Sequence, residues 1–546
     1  MHRPDMPFRQ LGRQRWVLIA ILAIALWLRM TTIGFGLPAL NDPDELMFEM
    51  GALRMLRGPT LDPGWFGHPA TTTMYVLALT NIASLGAAVL SGHAASARRF
   101  AELVYADPSW MILPGRYVMT GFALASIYLT WRLGYRLFGP IAGLLAAALL
   151  AVNPVHVTWS QIIRSDTMAC VFMLLCLLSA SSIAQRGRWR DHLAAALWLG
   201  LAVATKWPFA LSFVSIVAST IVAVRGGVLD RHRSLARIVA TGIAAIVVLF
   251  IASPYLLIDH ATVLKNIHGE GQAHHLGATG GSLWDNARWY VGGPILTGFG
   301  AIGIMLMMAG FLPLLHNRLA LTIIAPVGTA FIAMLCIEPI VWERWTLPLM
   351  PLGAIIAAAG LVAVGEAVRP RFPPGLMMAA ILIVAVVPLG ATIRADDAMR
   401  AHDTRQQASA WARAHIPPGS TVLIEHFAFD ILAEPWRFVF PMGDAGCVDV
   451  RAYLGGKIGY ATIERARGGR SNIDYGTVAP VRRASCRADF AILTQAERYA
   501  RERDRFPAED AAYRAMIASG RVAAILAPRA GSRGGPVVTI VDLRRR

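Results

Sequence analysis

Charge is scarce in this chain: 16% of its 546 residues are Asp, Glu, Lys or Arg, whereas a soluble domain carries about a quarter. That shortfall excludes an ordinary cytosolic enzyme and any disordered or fibrous class. Lysine is scarcer still. Lys206, Lys265 and Lys457 are the three lysines among 51 basic residues, an Arg-dominated balance that suggests a GC-rich bacterial genome and says nothing about mechanism. The five cysteines lack the CxxC spacing of a zinc site. Cys170, Cys176 and Cys336 fall in apolar runs, where packing accounts for them. No Gly-rich phosphate loop follows a strand and opens a helix, so no nucleotide cofactor is expected. Internal repeats and low-complexity tracts are also missing.

What remains is mostly apolar: 55% hydrophobic residues and a mean hydropathy of +0.50. About twelve runs approach the ~20 residues that cross a bilayer, beginning near Trp16, Ala70, Pro114, Ile141, Thr167, Leu193, Phe209, Ile238, Gly292, Leu319, Trp345 and Gly375. The lipid bilayer is thus one partner. A net charge of +17 in a soluble chain would suggest nucleic acid. Here the arginines cluster between apolar runs, so their role is topological and no nucleic acid is expected. The basic stretch Arg3, Arg9, Arg13 and Arg15 before Trp16–Met30 has no clean cleavage site and reads as an uncleaved first helix.

After residue 395 the pattern changes to frequent charges and short β-type runs: 421–424, 489–493, 522–526 and 537–541. Helical patterns at 408–415 and 509–519 lie between them. We expect a transmembrane domain over 1–394 and a soluble α/β domain over 395–546.

The positive-inside rule arranges the runs. If the 70–90 run does not cross, the clusters Arg132/Arg136, Arg186/Arg188/Arg190, Arg225/Arg231/Arg233/Arg237, Arg318 and Arg369/Arg371 share the cytoplasmic side with the N-terminus. If it crosses once, they are pushed outside. The first choice makes 70–90 a surface or re-entrant segment, although it is long enough to span. It leaves about eleven spans and places the C-terminal domain outside the cytoplasm.

That topology collects unusual residues on the outer face. Asp44 and Glu45 sit at a helix start, where carboxylates suit the dipole. The alternative to catalysis is an ordinary cap on a surface helix whose apolar face is Leu46, Met50, Leu53 and Leu56. His68-Pro69 opens the next apolar run. Trp159, Arg164 and Asp166 end another, where a simple ion pair is the plainer reading. Lys206 closes a helix before Trp207-Pro208 and could merely snorkel, though lysine is usually kept inside. Glu343-Arg344-Trp345 precedes the Pro-broken stretch Leu347-Pro348 and Met350-Pro351. Carboxylates that take a hydroxyl proton and cations that hold a departing phosphate together suit transfer of a phosphate-linked group.

Asp44-Glu45, the short amphipathic helix, His68-Pro69, Ile163-Arg164-Ser165-Asp166 and Ala204-Thr205-Lys206 follow one another in an order that resembles the GT-C superfamily of polyprenyl-phosphate-sugar-dependent glycosyltransferases. The branch it looks most like contains protein O-mannosyltransferases and the lipid A aminoarabinose transferase. Glu343-Arg344-Trp345-x-Leu347-Pro348 resembles the family's late aromatic-and-Pro segment, with Trp where Tyr is commoner. Ala408–Val422, with Ile416-Pro417-Pro418-Gly419, resembles the start of the extracytoplasmic domain of bacterial members.

The resemblance implies an α-helical polytopic membrane protein of GT-C type, with juxtamembrane helices and a C-terminal α/β domain. Its setting would be the bacterial cytoplasmic membrane. It implies an inverting transfer of a hexosyl or pentosyl group from a polyprenyl-phosphate sugar donor to a lipid, glycan or protein acceptor. Asp44 would be the base, Glu45 its motif neighbour and Asp166 the second acid. Lys206 would meet the donor phosphate, with Arg164, His68 and Arg344 as further phosphate ligands. Some members use a divalent cation. His260, His268, His274 and His275 hold enough imidazole for a metal site or form a solvated loop, so the metal stays open. The rival readings are a lipid-linked glycan ligase or polymerase, and a lipid or glycan transporter, which should show repeats and paired broken helices.

Cys447 and Cys486 are the only cysteines after residue 395. In an oxidising compartment they would form a disulfide; otherwise they are two buried thiols.

Overall fold

The computed structural model describes residues 8–544 except 59, 272–273, 370–372, 426–428, 450–451, 453–459 and 469–471. Arg3, Arg371 and Lys457 lie outside the described residues.

The first half comprises α1 (Phe8–Met30), α2 (Pro43–Arg57), α3 (Thr71–Leu90), α4 (Ala97–Ala106), α5 (Ser109–Phe138), α6 (Pro140–Ala151), α7 (Pro154–Ser160), α8 (Ser165–Arg186), α9 (Trp189–Thr205) and α10 (Phe213–Arg225). Then come α11 (Arg231–Ala252), α12 (Tyr255–Ile258), α13 (His260–Glu270), α14 (Leu283–Tyr290), α15 (Leu296–His316), α16 (Arg318–Ile337), α17 (Leu349–Ala367) and α18 (Pro374–Ala401). Among the described residues nine helical stretches are long and apolar enough to cross a membrane, ten if the bent pair α6 and α7 counts as one more. Exposed Leu, Ile, Val and Met cover the outside of the bundle, as on Ile243, Ile246, Met305, Met308, Ile383 and Val387, the surface that lipid tails require.

Contacts fix which helix ends lie together. At one end Arg116 of α5 meets Glu45 of α2, Arg29 of α1 donates to the Ala151 carbonyl of α6 and Arg400 of α18 donates to Gln161. At the other end Arg136 reaches Leu178 and Gln185, Arg237 donates to the Gly187 carbonyl and Asn317 donates to Leu137. Arg136 and Arg237, two of the arginines counted in the sequence, therefore lie at the end opposite Asp44. α3 is among the nine apolar stretches, yet the chain does not change ends over it. Asn81, midway along α3, donates to Glu49 of α2 at 2.7 Å, and α5 starts again beside α2. Both side chains are buried, and a buried acid and amide need each other because no water reaches them.

α18 runs unbroken through the boundary expected at residue 394. Beyond it come α19 (Thr404–His415), β1 (Thr421–Ile424), β2 (Arg437–Pro441), β3 (Cys447–Asp449), α20 (Tyr460–Arg467), β4 (Phe490–Leu493), α21 (Ala496–Arg501), α22 (Pro507–Ala518), β5 (Arg521–Leu526) and β6 (Val538–Asp542). The six strands form one sheet in the order β3-β2-β1-β4-β6-β5. β1 lies parallel to both β2 and β4, and the remaining pairs are antiparallel. The four strands expected from sequence are present within one residue of their bounds. β2 and β3 were not legible: Arg437 and Pro441 bracket the apolar residues of β2, and β3 has three residues after a Gly-containing turn. Two apolar clusters cover the sheet faces. One is centred on Val422, Ile424, Phe438 and Ile540, the other on Leu423, Ala491, Leu493 and Tyr513; the strands alternate between them as period two demands. A disulfide joins Cys447 to Cys486 with the Cα atoms 4.9 Å apart, which settles the choice between bridge and free thiols.

Candidate active site

α2 begins where the sequence places a helix start. Asp42 is its N-cap and accepts from the Asp44 amide at 3.0 Å, Pro43 opens the first turn, and Asp44 and Glu45 follow. Its buried face differs from the one expected. Leu46, Met50 and Leu53 line a cavity and Leu56 is exposed, while Glu45, Phe48, Glu49, Ala52 and Met55 face the protein. Two acids can turn inward because each has a partner. Arg116 grips Glu45 through two bonds of 2.9 and 2.7 Å, the Ile163 amide adds a third at 3.0 Å, and Asn81 serves Glu49. Arg116 also donates to the carbonyls of Ile33 and Phe35 at 2.7 and 2.9 Å. Paired and fully hydrogen-bonded, a buried charge becomes tolerable.

The cavity encloses about 1470 Å³ between the loop end of the bundle and the carboxyl edge of the sheet. Asp44, His68, Arg164 and Arg344 line it together with Trp65, Trp159, Glu270, His275 and Trp342. Thr494, Gln495 and Arg498 close the sheet side, just past β4, where parallel strands commonly hold ligands.

Arg164, the residue before α8, pairs with both acids at the head of α2. Its Nη2 lies 2.7 and 2.9 Å from the two Asp42 oxygens, and its Nη1 donates to Asp44. Burial works against charge on Asp44, but Arg164 and then Arg344 outweigh it and hold the carboxyl well below its ordinary range. Arg344, in the helical turn Glu343–Thr346, is 8% exposed and stacks over Trp342 with its carbon 4.6 Å from the ring centre. Among the described residues its side chain has no hydrogen-bond or ion-pair partner, and its Nε is buried and unsatisfied. A buried cation without a direct ion pair, offset only at longer range by Asp44, Asp166 and Asp42, is costly, and an anion beside it would relieve it.

Lys206 and Asp166 lie behind the wall. Lys206 Nζ donates to Asp166 Oδ1 at 2.5 Å, and both side chains are almost wholly buried. Neither lines the cavity, and neither does Glu45. The snorkelling alternative for Lys206 fails on this burial. The residue is anchored by main chain as well: Pro69 and Lys206 form an antiparallel bridge, with Ala70 N donating to Thr205 O at 3.2 Å and Trp207 N donating to His68 O at 2.9 Å. His68 is thereby set in the cavity wall. Burial first, then the charges of Lys206 and Arg344, push its pKa down to about 3, so the ring is neutral.

Sequence reasoning missed Asp42, Arg116, Glu49, Glu270 and Trp342. Glu45 and Glu49 are four apart, hence on one helix face, and Arg116 is a lone charge in an apolar run; those were the available signals. The four histidines of the 260–275 stretch do not converge. His275 packs edge-on against Trp342 at 5.0 Å, and among the described residues no group of three or more His, Cys, Asp or Glu is placed to hold a metal.

Residues 94–258 match the family described as dolichyl-phosphate-mannose-protein mannosyltransferase. The chain is similar in structure to ArnT from Cupriavidus metallidurans in the apo state, with a TM-score of 0.50, 14% identity, and coverage of 97% of this chain and 98% of that one. ArnT bound to undecaprenyl phosphate gives 0.48, 14%, 96% and 97%. The oligosaccharyltransferase AglB from Archaeoglobus fulgidus, in complex with an inhibitory peptide and a dolichol-phosphate, gives 0.47, 10%, 90% and 70%. No curated protein sequence matches the chain. Residues 94–258 thus match the mannosyltransferase family's model, and the chain shares the fold of ArnT over nearly the whole length of both chains.

Proposed function

We propose that the protein moves a sugar from a polyprenyl-phosphate donor to an acceptor hydroxyl or amine by a single inverting displacement. Arg344 carries this reading: a buried cation with no hydrogen-bond or ion-pair partner among the described residues, on the wall that also bears Asp44. The matched family's description supplies the donor class. The acceptor attacks the anomeric carbon, the bond from that carbon to the phosphate oxygen breaks, and the acceptor's proton passes to Asp44. Developing phosphate charge falls to Arg344 and Arg164.

The Arg164–Asp44 pair gives the order of events. While paired, Asp44 is a poor base. An arriving phosphate competes for Arg164, loosens that pair and raises the basicity of Asp44 when the donor is present. Lys206 and Asp166 shape the same field from behind, Lys206 lending charge to the phosphate and Asp166 fixing its position. Glu45 fixes the head of α2 through Arg116. We place the site on the outer face of a bacterial cytoplasmic membrane, with the N-terminus inside and residues 395–546 as an extracytoplasmic unit. The basis is the gathering of arginines at the opposite end.

Asp44→Asn tests the chemistry. Transfer from mannosyl-phosphoryl-polyprenol should fall by at least about a hundredfold, the usual worth of a positioned base, while donor binding and the melting temperature persist. Turnover near the unmodified rate would remove Asp44 from the role. A reporter fused at the C-terminus and active only outside the cytoplasm tests the orientation.

A further inference from the structure

His68 and Glu270 face each other across a gap that the proposed displacement leaves unused. Glu270 is the last residue of α13 and lines the cavity. Its Oε2 stands 4.0 Å from His68 Nε2, and the carboxylate side chain is 49% exposed. Among the described residues it makes no closer polar contact. Four ångströms is too long for a hydrogen bond, yet an oxygen placed ~2.8 Å from each atom would bridge them. The other ring nitrogen of His68, Nδ1, is buried and unpartnered. Trp65 packs edge-on against the same ring at 5.0 Å and also lines the cavity, giving the gap an apolar floor.

We propose that His68 and Glu270 form the subsite that reads the donor sugar, by clasping one of its ring hydroxyls. The hydroxyl donates its proton to Glu270 and accepts from, or is flanked by, the neutral imidazole. This deepens the reading given above and rests on it. The two sides of the gap decide the chemical class. The acceptor-only carboxylate wants a donor group. At His68 the charges of Lys206 and Arg344 outweigh the opposing charges of Asp166 and Asp44 and disfavour a second cation there. A neutral, hydroxylated sugar fits; a sugar whose amine is charged at this position does not. Glu270 is a specificity residue, and Asp44 keeps the proton transfer. The main-chain bridge at Pro69 and Lys206 holds His68 in place, so a change at residue 270 alters recognition without moving the ring.

Equilibrium binding tests this without knowledge of the acceptor. The full-length protein in lipid nanodiscs is titrated with undecaprenyl phosphate, mannosyl-phosphoryl-undecaprenol, its monodeoxy analogues and the 4-amino-4-deoxyarabinosyl donor. Expected are tighter binding of the mannosyl donor than of the amino sugar, and a loss of roughly tenfold or more for one deoxy analogue, the worth of one hydrogen bond to a charged group. Glu270→Ala should bind the parent and that analogue alike, Glu270→Gln should recover part of the difference, and undecaprenyl phosphate should bind all three proteins equally. Melting curves check that the variants fold. Unaltered discrimination in Glu270→Ala, or preference for the amino sugar abolished by Glu270→Ala, overturns the hydroxyl subsite. Failure of undecaprenyl phosphate and of every donor to bind the unaltered protein would instead overturn the proposed function.

Discussion

Lys206 and Asp166 are 40 residues apart in sequence and 2.5 Å apart in space, each sealed from the cavity by its own helix end. Breaking such a pair from one side leaves a buried charge alone. Lys206→Met should therefore cost about 3–5 kcal/mol of stability, read as a fall in melting temperature. The double variant Lys206→Met/Asp166→Asn should recover much of it. Donor affinity that stays low in the double variant would separate the lysine's part in phosphate binding from its part in folding.

Arg344 gives the opposite signature. Its guanidinium has no ion-pair partner to strand, so Arg344→Met should leave the melting temperature nearly unchanged. Undecaprenyl phosphate binding should weaken by roughly ten- to a hundredfold, as charge-assisted bonds to the phosphate are lost. Isothermal titration in nanodiscs measures it.

Glu49 should give a pH-dependent stability. Burial, only partly offset by the Asn81 hydrogen bond and reinforced by the charge of Glu45, pushes its carboxyl from 4.5 up to about 8. Between those values the folded protein binds the proton and the unfolded chain does not, so stability falls as pH rises and levels off above about 8. Glu49→Gln should remove that slope. Melting temperatures of both proteins at about pH 5, 7 and 9 make the comparison.

Cys447 lies in edge strand β3 and Cys486 ends a helical turn before β4, so their bond closes a 39-residue separation. The double substitution to serine should destabilise the sheet region by about 3–4 kcal/mol in the chain-entropy picture. Unfolding followed by a probe on Trp411, with and without reductant, reads it.

Asp44, His68, Arg164 and Arg344 were legible in sequence because each is a polar residue at the end of an apolar run, where charge must have a reason. That they share one cavity was not, since it depends on loops as far apart in sequence as Asp44 and Arg344 folding onto one end. The inward turn of Glu45 was illegible for a related cause. Local periodicity assigns the apolar face to the core, but Arg116 is 71 residues away and reverses the assignment by pairing. Lys206 was read as a phosphate ligand from its position at a helix end; the competing claim of Asp166 appears only in three dimensions. β1, β4, β5 and β6 were readable as short apolar or β-branched runs, whereas Arg437 and Pro441 bracket the apolar residues of β2 and β3, beginning at Cys447, spans only three residues.

The bridge between Pro69 and Lys206 has a consequence for inheritance. It is made of the amides of Ala70 and Trp207 and the carbonyls of Thr205 and His68, so this part of the cavity wall does not depend on which side chain stands at 68. Substitution there, or across the gap at 270, exchanges side chains on the cavity wall and leaves its main-chain frame in place. If the pair reads the donor sugar as proposed, a lineage can change that sugar in single steps without passing through a misfolded ancestor.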